Sequence, residues 1–226
     1  MNLRELIIKA DEGETFDIEL EKNLLDANKK IALENRKILD KFNIKTIDVM
    51  GSIGSGKTSL IENLVDKLKN KFKIAVINGD LTTTIDSNRI EKHGVNVIQI
   101  NTGKECHLDA NLVRKAIEQL DLSNLDLIFI ENVGNLICPA EFPLGSSKRI
   151  VVISVTEGPY MVVKHPFIFM ESDVAIINKI DLVDSMRIRL DDIIKDIEKI
   201  NPNTKVLKVN SREGKGIEEV INALEL

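Results

Sequence analysis

Eight consecutive residues, Gly51-Ser52-Ile53-Gly54-Ser55-Gly56-Lys57-Thr58, fit the spacing G-x-x-x-x-G-K-[ST]. Glycines let a backbone curl until its N–H groups point inward, which makes a cradle for phosphate oxygens. A helix opening directly behind adds the positive end of its dipole. In such a cradle Lys57 reaches the β- and γ-phosphates, and the Thr58 hydroxyl binds Mg²⁺. The second loop position is Ser52. Some ATPases with related loops carry a second lysine there that acts across a dimer, so this chain is set apart from that subgroup.

A second motif, Asn178-Lys179-Ile180-Asp181, ends an apolar run about 120 residues past the loop. Guanine presents two adjacent donors, N1–H and the 2-amino group, and the acceptor-only carboxylate of Asp181 can take both. Adenine offers neither and would leave that carboxylate unpaired. Asn178 can hydrogen-bond the base N7 and brace the phosphate loop, while the Lys179 stem covers the base face. Ser211 and Arg212, in Val209-Asn210-Ser211-Arg212-Glu213-Gly214, lie where backbone N–H groups are added to guanine O6. An ordinary polar loop is the alternative there.

Mg²⁺ prefers hard oxygen ligands in octahedral geometry. Asp80, Asp86 and Glu131 are the candidates to hold it, directly or through water, with Thr58. Lys57, Asp80, Asp86 and Glu131 together make the candidate catalytic set. Asp86 alternatively caps the helical pattern that follows it. Glu131-x-x-Gly134 stands where many GTPases have Asp-x-x-Gly, and Gly134 can offer its N–H to a γ-phosphate. These segments contain no glutamine to orient the attacking water. Slow intrinsic hydrolysis follows, of the kind that waits for a partner or a dimer.

The only two cysteines are Cys106, followed at once by His107, and Cys138, followed by Pro139. Thiolate and imidazole suit Zn²⁺ and Ni²⁺. Three such ligands do not easily close a four-coordinate site, but two chains across a twofold axis would supply them in pairs. The alternative is that each cysteine is a small buried hydrophobe. His93 and His165 read as a surface helix residue and a loop residue, without assignment.

These residues need a scaffold. At 226 residues the chain fits one domain. Apolar runs at 44–50, 74–78, 95–100, 125–130, 150–155, 174–178 and 206–209 alternate with helical patterns at 58–71, 86–92, 109–120, 187–200 and 217–224. Several runs are Ile- and Val-rich without strict alternation, as in strands buried on both faces. The expectation is an α/β fold: a doubly wound, mainly parallel sheet of about seven strands. Ligands of such sheets sit beyond the carboxyl ends of the strands, where the motifs lie. Residues 1–43 read as a helical extension, with an amphipathic pattern at 19–40, packing on a nucleotide-binding domain at 44–226.

The 31 Lys and Arg against 36 Asp and Glu leave a net charge of −5, which does not favour a nucleic-acid surface. No apolar run approaches the roughly 18 residues of a membrane span. The first residues carry acids where a signal peptide is apolar. Two cysteines make no disulfide framework, so a reducing cytoplasm is expected.

The chain resembles the hydrogenase maturation nickel-insertion GTPases, the HypB family. The likeness runs from about Asn28 to the C-terminus. Its most diagnostic segments are Asn101-Thr102-Gly103-Lys104-Glu105-Cys106-His107-Leu108 and Glu131-Asn132-Val133-Gly134-Asn135-Leu136-Ile137-Cys138-Pro139-Ala140. Gly79-Asp80, Val155-Thr156-Glu157-Gly158 and the two nucleotide motifs add to it. The resemblance implies a P-loop GTPase of the dimerising, SIMIBI-like type. It implies a homodimer formed with GTP, with Ni²⁺ or Zn²⁺ held at the interface by Cys106, His107 and Cys138. The implied partners are a hydrogenase large subunit and another nickel-maturation accessory protein. Some members begin with a Cys-rich nickel motif or a His-rich storage tract, and neither precedes Gly51 here. A urease-type relative is the alternative, but Cys-Pro-His would be expected where this chain has Cys138-Pro139-Ala140. A metal-binding module using nucleotide only as a structural ligand is another.

Overall fold

The computed structural model describes residues 15–226, with side chains from residue 22 onward. Residues 1–14, the start of the expected extension, lie outside the described residues. Seven parallel strands form one sheet: β1 (Lys45–Gly51), β2 (Ile74–Asp80), β3 (Asn96–Asn101), β4 (Leu127–Glu131), β5 (Lys148–Ser154), β6 (Val174–Asn178) and β7 (Lys205–Lys208). Their spatial order is β3-β2-β4-β1-β5-β6-β7, and every neighbouring pair is parallel. The chain leaves β1 toward β2 and leaves its neighbour β5 toward β6 on the other side, and this reversal opens a crevice at the carboxyl ends of β1 and β5.

Strand composition follows position. The inner strands β4 and β6 are buried at every residue, whereas the edge strands β3 and β7 are only half covered. Half-covered edges explain why polar Asn101 and Lys205 sit at strand ends outside the expected apolar runs.

Alternate residues of each inner strand feed opposite layers. Ile47, Val49, Val76, Phe129, Val152 and Ile176 pack under α2 (Lys57–Leu68), α3 (Ile85–Glu91) and α10 (Ile217–Ala223). The facing set divides in two. Ala75, Ile77, Ile128 and Ile130 meet Val113 and Ile117 of α4 (Ala110–Ile117). Met50, Val151, Ile153 and Ile177 meet Phe169 of α7 (Pro166–Met170) and Ile193 and Ile197 of α9 (Leu190–Ile200). Three further short helices, α5 (Cys138–Glu141), α6 (Met161–Lys164) and α8 (Val183–Met186), follow strand ends.

The expected N-terminal helix is present as α1 (Thr15–Lys41). It docks beside α4 through two buried asparagines. Asn28 takes the Ala110 N–H at 2.7 Å and donates to Pro143 O at 2.9 Å. Asn35 donates to Ala110 O at 2.8 Å and Leu144 O at 3.1 Å. The turn beneath is Gly145, with φ +96°, where a Cβ would stand 2.4 Å from Ala32 O. Buried Leu39 adds about 2 kcal/mol of apolar burial to that contact.

Candidate nucleotide and metal sites

The phosphate loop lies in the crevice at the end of β1. Gly56 has φ +99° and its Cα faces the Asn178 amide so closely that a Cβ would stand 2.3 Å away. That amide donates to Ser55 O at 2.8 Å, so the base motif also braces the phosphate motif. Lys57 folds back on its own loop and donates to Gly51 O at 3.2 Å and Ser52 O at 3.0 Å. Burial lowers its pKa, opposed by the charges of Glu131, Asp86, Glu157 and Asp80.

Glu157 was not singled out by residue chemistry. Its Oε1 accepts from Ser52 Oγ at 2.6 Å and from the Ser154 N–H at 2.8 Å, and burial raises its pKa. The local signal is legible as a capping box, Ser154-x-x-Glu157. The reach to Ser52 is tertiary and leaves no local mark.

The base motif surrounds a cavity of about 580 Å³ lined by Lys179, Asp181, Asn210, Ser211 and Arg212 with Ser59 and Asn63 of α2. Asn178 Oδ1 accepts the N–H groups of Lys179 at 2.8 Å and Ser211 at 3.0 Å, which draws the two recognition loops together. Lys179 sits at φ +59° and donates to Gly54 O at 2.7 Å.

A second cavity of about 640 Å³ is lined by Gly54, Gly56, Lys57, Thr58, Asp80, Asp86, Glu131 and Gly134. All four residues of the magnesium set therefore face one space. Thr58 Oγ1 donates to Glu131 Oε1 at 2.7 Å, while Glu131 Oε2 is buried without a hydrogen-bond partner. An orphaned carboxylate oxygen beside a threonine hydroxyl fits a hard divalent cation or its bound water. Asp80 is partly buried, but the amides of Thr82 and Thr83 and the Thr83 hydroxyl outweigh that and lower its pKa. Asp86 does not cap α3, because the cap position is Thr84; it lies in the first turn and pairs with Arg89 at 3.3 Å. Gly134 approaches the loop so closely that a Cβ would meet Ile53 Cγ1 at 2.5 Å.

Cys106, His107 and Cys138 present their ligand atoms within 4.8 Å of one another. The two Sγ atoms are 3.0 Å apart, and both cysteines are free. The soft S, S, N set fits Zn²⁺ or Ni²⁺. The His107 ring stacks on Phe142 with centroids 3.9 Å apart, and burial lowers its pKa, which favours the neutral ligating form. Burial and the neighbouring Cys106 raise the Cys138 thiol.

Asn135 ties this triad to the phosphate loop. Its N–H donates to Gly51 O at 3.0 Å, its Nδ2 to Cys106 O at 3.3 Å, and its Oδ1 accepts from Ile137 N at 2.9 Å. Asn132, three residues earlier, accepts from Leu108 N at 3.1 Å and donates to buried Asp48 at 3.2 Å.

A family profile described as CobW/HypB/UreG, nucleotide-binding domain, matches residues 45–208. A probable hydrogenase maturation factor HypB of Methanocaldococcus jannaschii is 50% identical over 92% of this chain and 94% of its own length. The chain belongs to the HypB proteins of the CobW/HypB/UreG family. The crystal structure of HypB from Helicobacter pylori in complex with nickel superposes with a TM-score of 0.83 at 38% identity, over 88% of this chain and 94% of that one. An LAO/AO transport system kinase, at 19% identity and a TM-score of 0.60 over 84% of this chain and 62% of its own, shares the fold. The fold is thus that of HypB and the SIMIBI-type P-loop proteins, as expected. Family membership supports nucleotide chemistry in the cavity that the phosphate loop lines.

His93, expected on a helix surface, stands past the end of α3, with Nδ1 2.9 Å from Asp66 Oδ1. Lys164 is exposed at the end of α6 and lines neither cavity.

Burial raises the Glu131 pKa from 4.5 to about 7, against the pull of Lys57 and Thr58. The folded HypB-family chain therefore holds this proton more tightly than the unfolded chain. Stability that is fully present below pH 4.5 is lost as pH rises through about 7, by about 3 kcal/mol. The urea midpoint of the nucleotide-free protein in chelator should fall across that window, and Glu131→Gln should remove most of the slope. Equal slopes in the two proteins would refute this.

Proposed function

We propose that the chain is a GTP-hydrolysing metallochaperone that couples GTP binding and dimerisation to nickel or zinc handling for [NiFe]-hydrogenase maturation. The observation that carries the coupling is Asn135, whose three hydrogen bonds join Gly51 of the phosphate loop to Cys106 and to the segment leading into Cys138. A γ-phosphate seated against Gly134 displaces the neighbouring Asn135, and with it the ligand loops.

In this reading Asp181 accepts the guanine N1–H and 2-amino group, Asn178 meets N7 and braces the loop, and the Ser211 and Arg212 amides turn from Asn178 Oδ1 and Asn210 Oδ1 to O6. Lys57 leaves the loop carbonyls for the β- and γ-phosphates. Gly51, Ser52, Ile53, Gly54, Ser55 and Gly56 shape the surrounding amide cradle. Thr58 and Glu131, with Asp80 and Asp86, would hold Mg²⁺, which would supply positive charge to neutralise the phosphate oxygens. Water attacks the γ-phosphorus, and GDP and inorganic phosphate leave. The dimer brings two Cys106-His107-Cys138 sets to one interface, where nickel or zinc is cargo. Residues 1–43 serve as an extension on a GTPase domain at 44–226, and the setting is the cytoplasm. The hydrogenase large subunit and a second nickel-maturation accessory protein are the partners.

Native mass spectrometry with Ni²⁺ or Zn²⁺, in GDP and in a non-hydrolysable GTP analogue, tests the coupling. A dimer that appears with the analogue and gains metal there supports it. A monomer that binds metal equally in both states, or binds none, sinks the interface site and leaves the GTPase.

A further inference from the structure

Arg89 has no place in the motifs, yet it lines the phosphate cavity beside Lys57, Thr58 and Glu131. It stands on α3, and its guanidinium is turned onto α2. Nη2 and Nε donate to Glu62 Oε2 at 2.6 Å and Oε1 at 3.2 Å, a two-pronged grip. Nη2 also reaches Ser59 Oγ at 3.0 Å, and Nη1 reaches Asp86 at 3.3 Å. Ser59 borders both the phosphate cavity and the base cavity, so this fork rests where the two meet.

We propose that Arg89 is a nucleotide-phosphate ligand held in reserve by Glu62, released when phosphate oxygens take the place of that carboxylate. The assignment rests on the reading that the cavity receives a nucleoside triphosphate. Carboxylate and phosphate each offer a guanidinium two oxygens for a bidentate pair, so one exchanges for the other without rebuilding the fork. The Arg89 side chain is 39% exposed and that of Glu62 18%, so solvent screens the resting pair and keeps it weak. A phosphate carries denser charge than the Glu62 carboxylate, in a cavity whose other basic lining residues are Lys57 and Lys179. Asp86 shares α3 with Arg89 and contacts it, so the exchange moves a magnesium candidate as well.

The test is the dissociation constant of the full chain for GDP and for a non-hydrolysable GTP analogue, in wild type, Arg89→Ala, Arg89→Lys and Glu62→Gln. Arg89→Ala should weaken the analogue about tenfold to a hundredfold, the scale of a lost hydrogen bond to a charged group. Arg89→Lys should recover part of that. Glu62→Gln should tighten binding severalfold. The opposite signs are decisive, because both substitutions delete the same ion pair. A mere brace between α2 and α3 predicts that both weaken binding together. Variants that move in the same direction, or do not move, overturn the assignment while leaving the nucleotide site standing. A wild type that binds neither nucleotide overturns the reading of the cavity itself. Thermal midpoints of the same variants separate lost binding from lost folding.

Discussion

An Asp181→Asn variant should lose about a hundredfold or more in GTP affinity and gain affinity for xanthosine triphosphate. The carboxylate offers two acceptors to the two guanine donors, and bonds to a charged group are each worth about 1.5–3 kcal/mol. Asparagine keeps one acceptor and turns the other into a donor. Xanthine has a carbonyl where guanine has the 2-amino group, so the new donor meets an acceptor. Asp181 lines the base cavity with Lys179 and the Ser211-Arg212 amides, away from the phosphate loop, so the cradle is left intact. Competition of fluorescent GTP by both nucleotides measures the change. A variant that keeps full discrimination against the xanthine nucleotide would remove the guanine site.

Cys138→Ala should lower Ni²⁺ affinity by at least about a hundredfold, since even outer-shell losses at metal sites cost ten- to a hundredfold. Cys138 is the cleaner target of the two thiols, because Cys106 also lines the phosphate cavity. The variant should bind GDP as wild type does. Titration followed by thiolate-to-metal absorption reads the loss directly. Unchanged stoichiometry and affinity would return both cysteines to the role of small side chains in a loop.

Most of the scaffold is legible in the residues because it is built from local periodicity. Ile- and Val-rich runs mark the inner strands, and α2, α4, α9 and α10 follow the expected helical patterns to within three residues at their ends. The four short helices α5 to α8 are four or five residues long and span little more than one turn, too little for a helical period to register. The phosphate and base motifs are legible for a different reason: their geometry demands particular residue types at fixed spacing. The bracing around them is not. Glu157 to Ser52, Arg89 to Glu62 and Asn135 to Gly51 join residues 105, 27 and 84 positions apart. An isolated Glu, Arg or Asn has many ordinary uses on a polar loop. Asp86 shows the reverse error, since a carboxylate before a helix is usually a cap, and here Thr84 holds that position.

A hydrogen-bonded junction has no preferred direction. Asn135 touches the phosphate loop with its backbone and the cysteine loops with its side chain. By linkage, whatever factor GTP contributes to metal affinity, bound metal must return to GTP affinity. Under the proposed coupling, cargo is then an effector of its own carrier. At a fixed cellular level of GTP, the metal-loaded chain would retain the triphosphate and the empty chain would let it go. Delivery would therefore end with an unloaded protein that resets itself, without a separate signal to report that the metal has left.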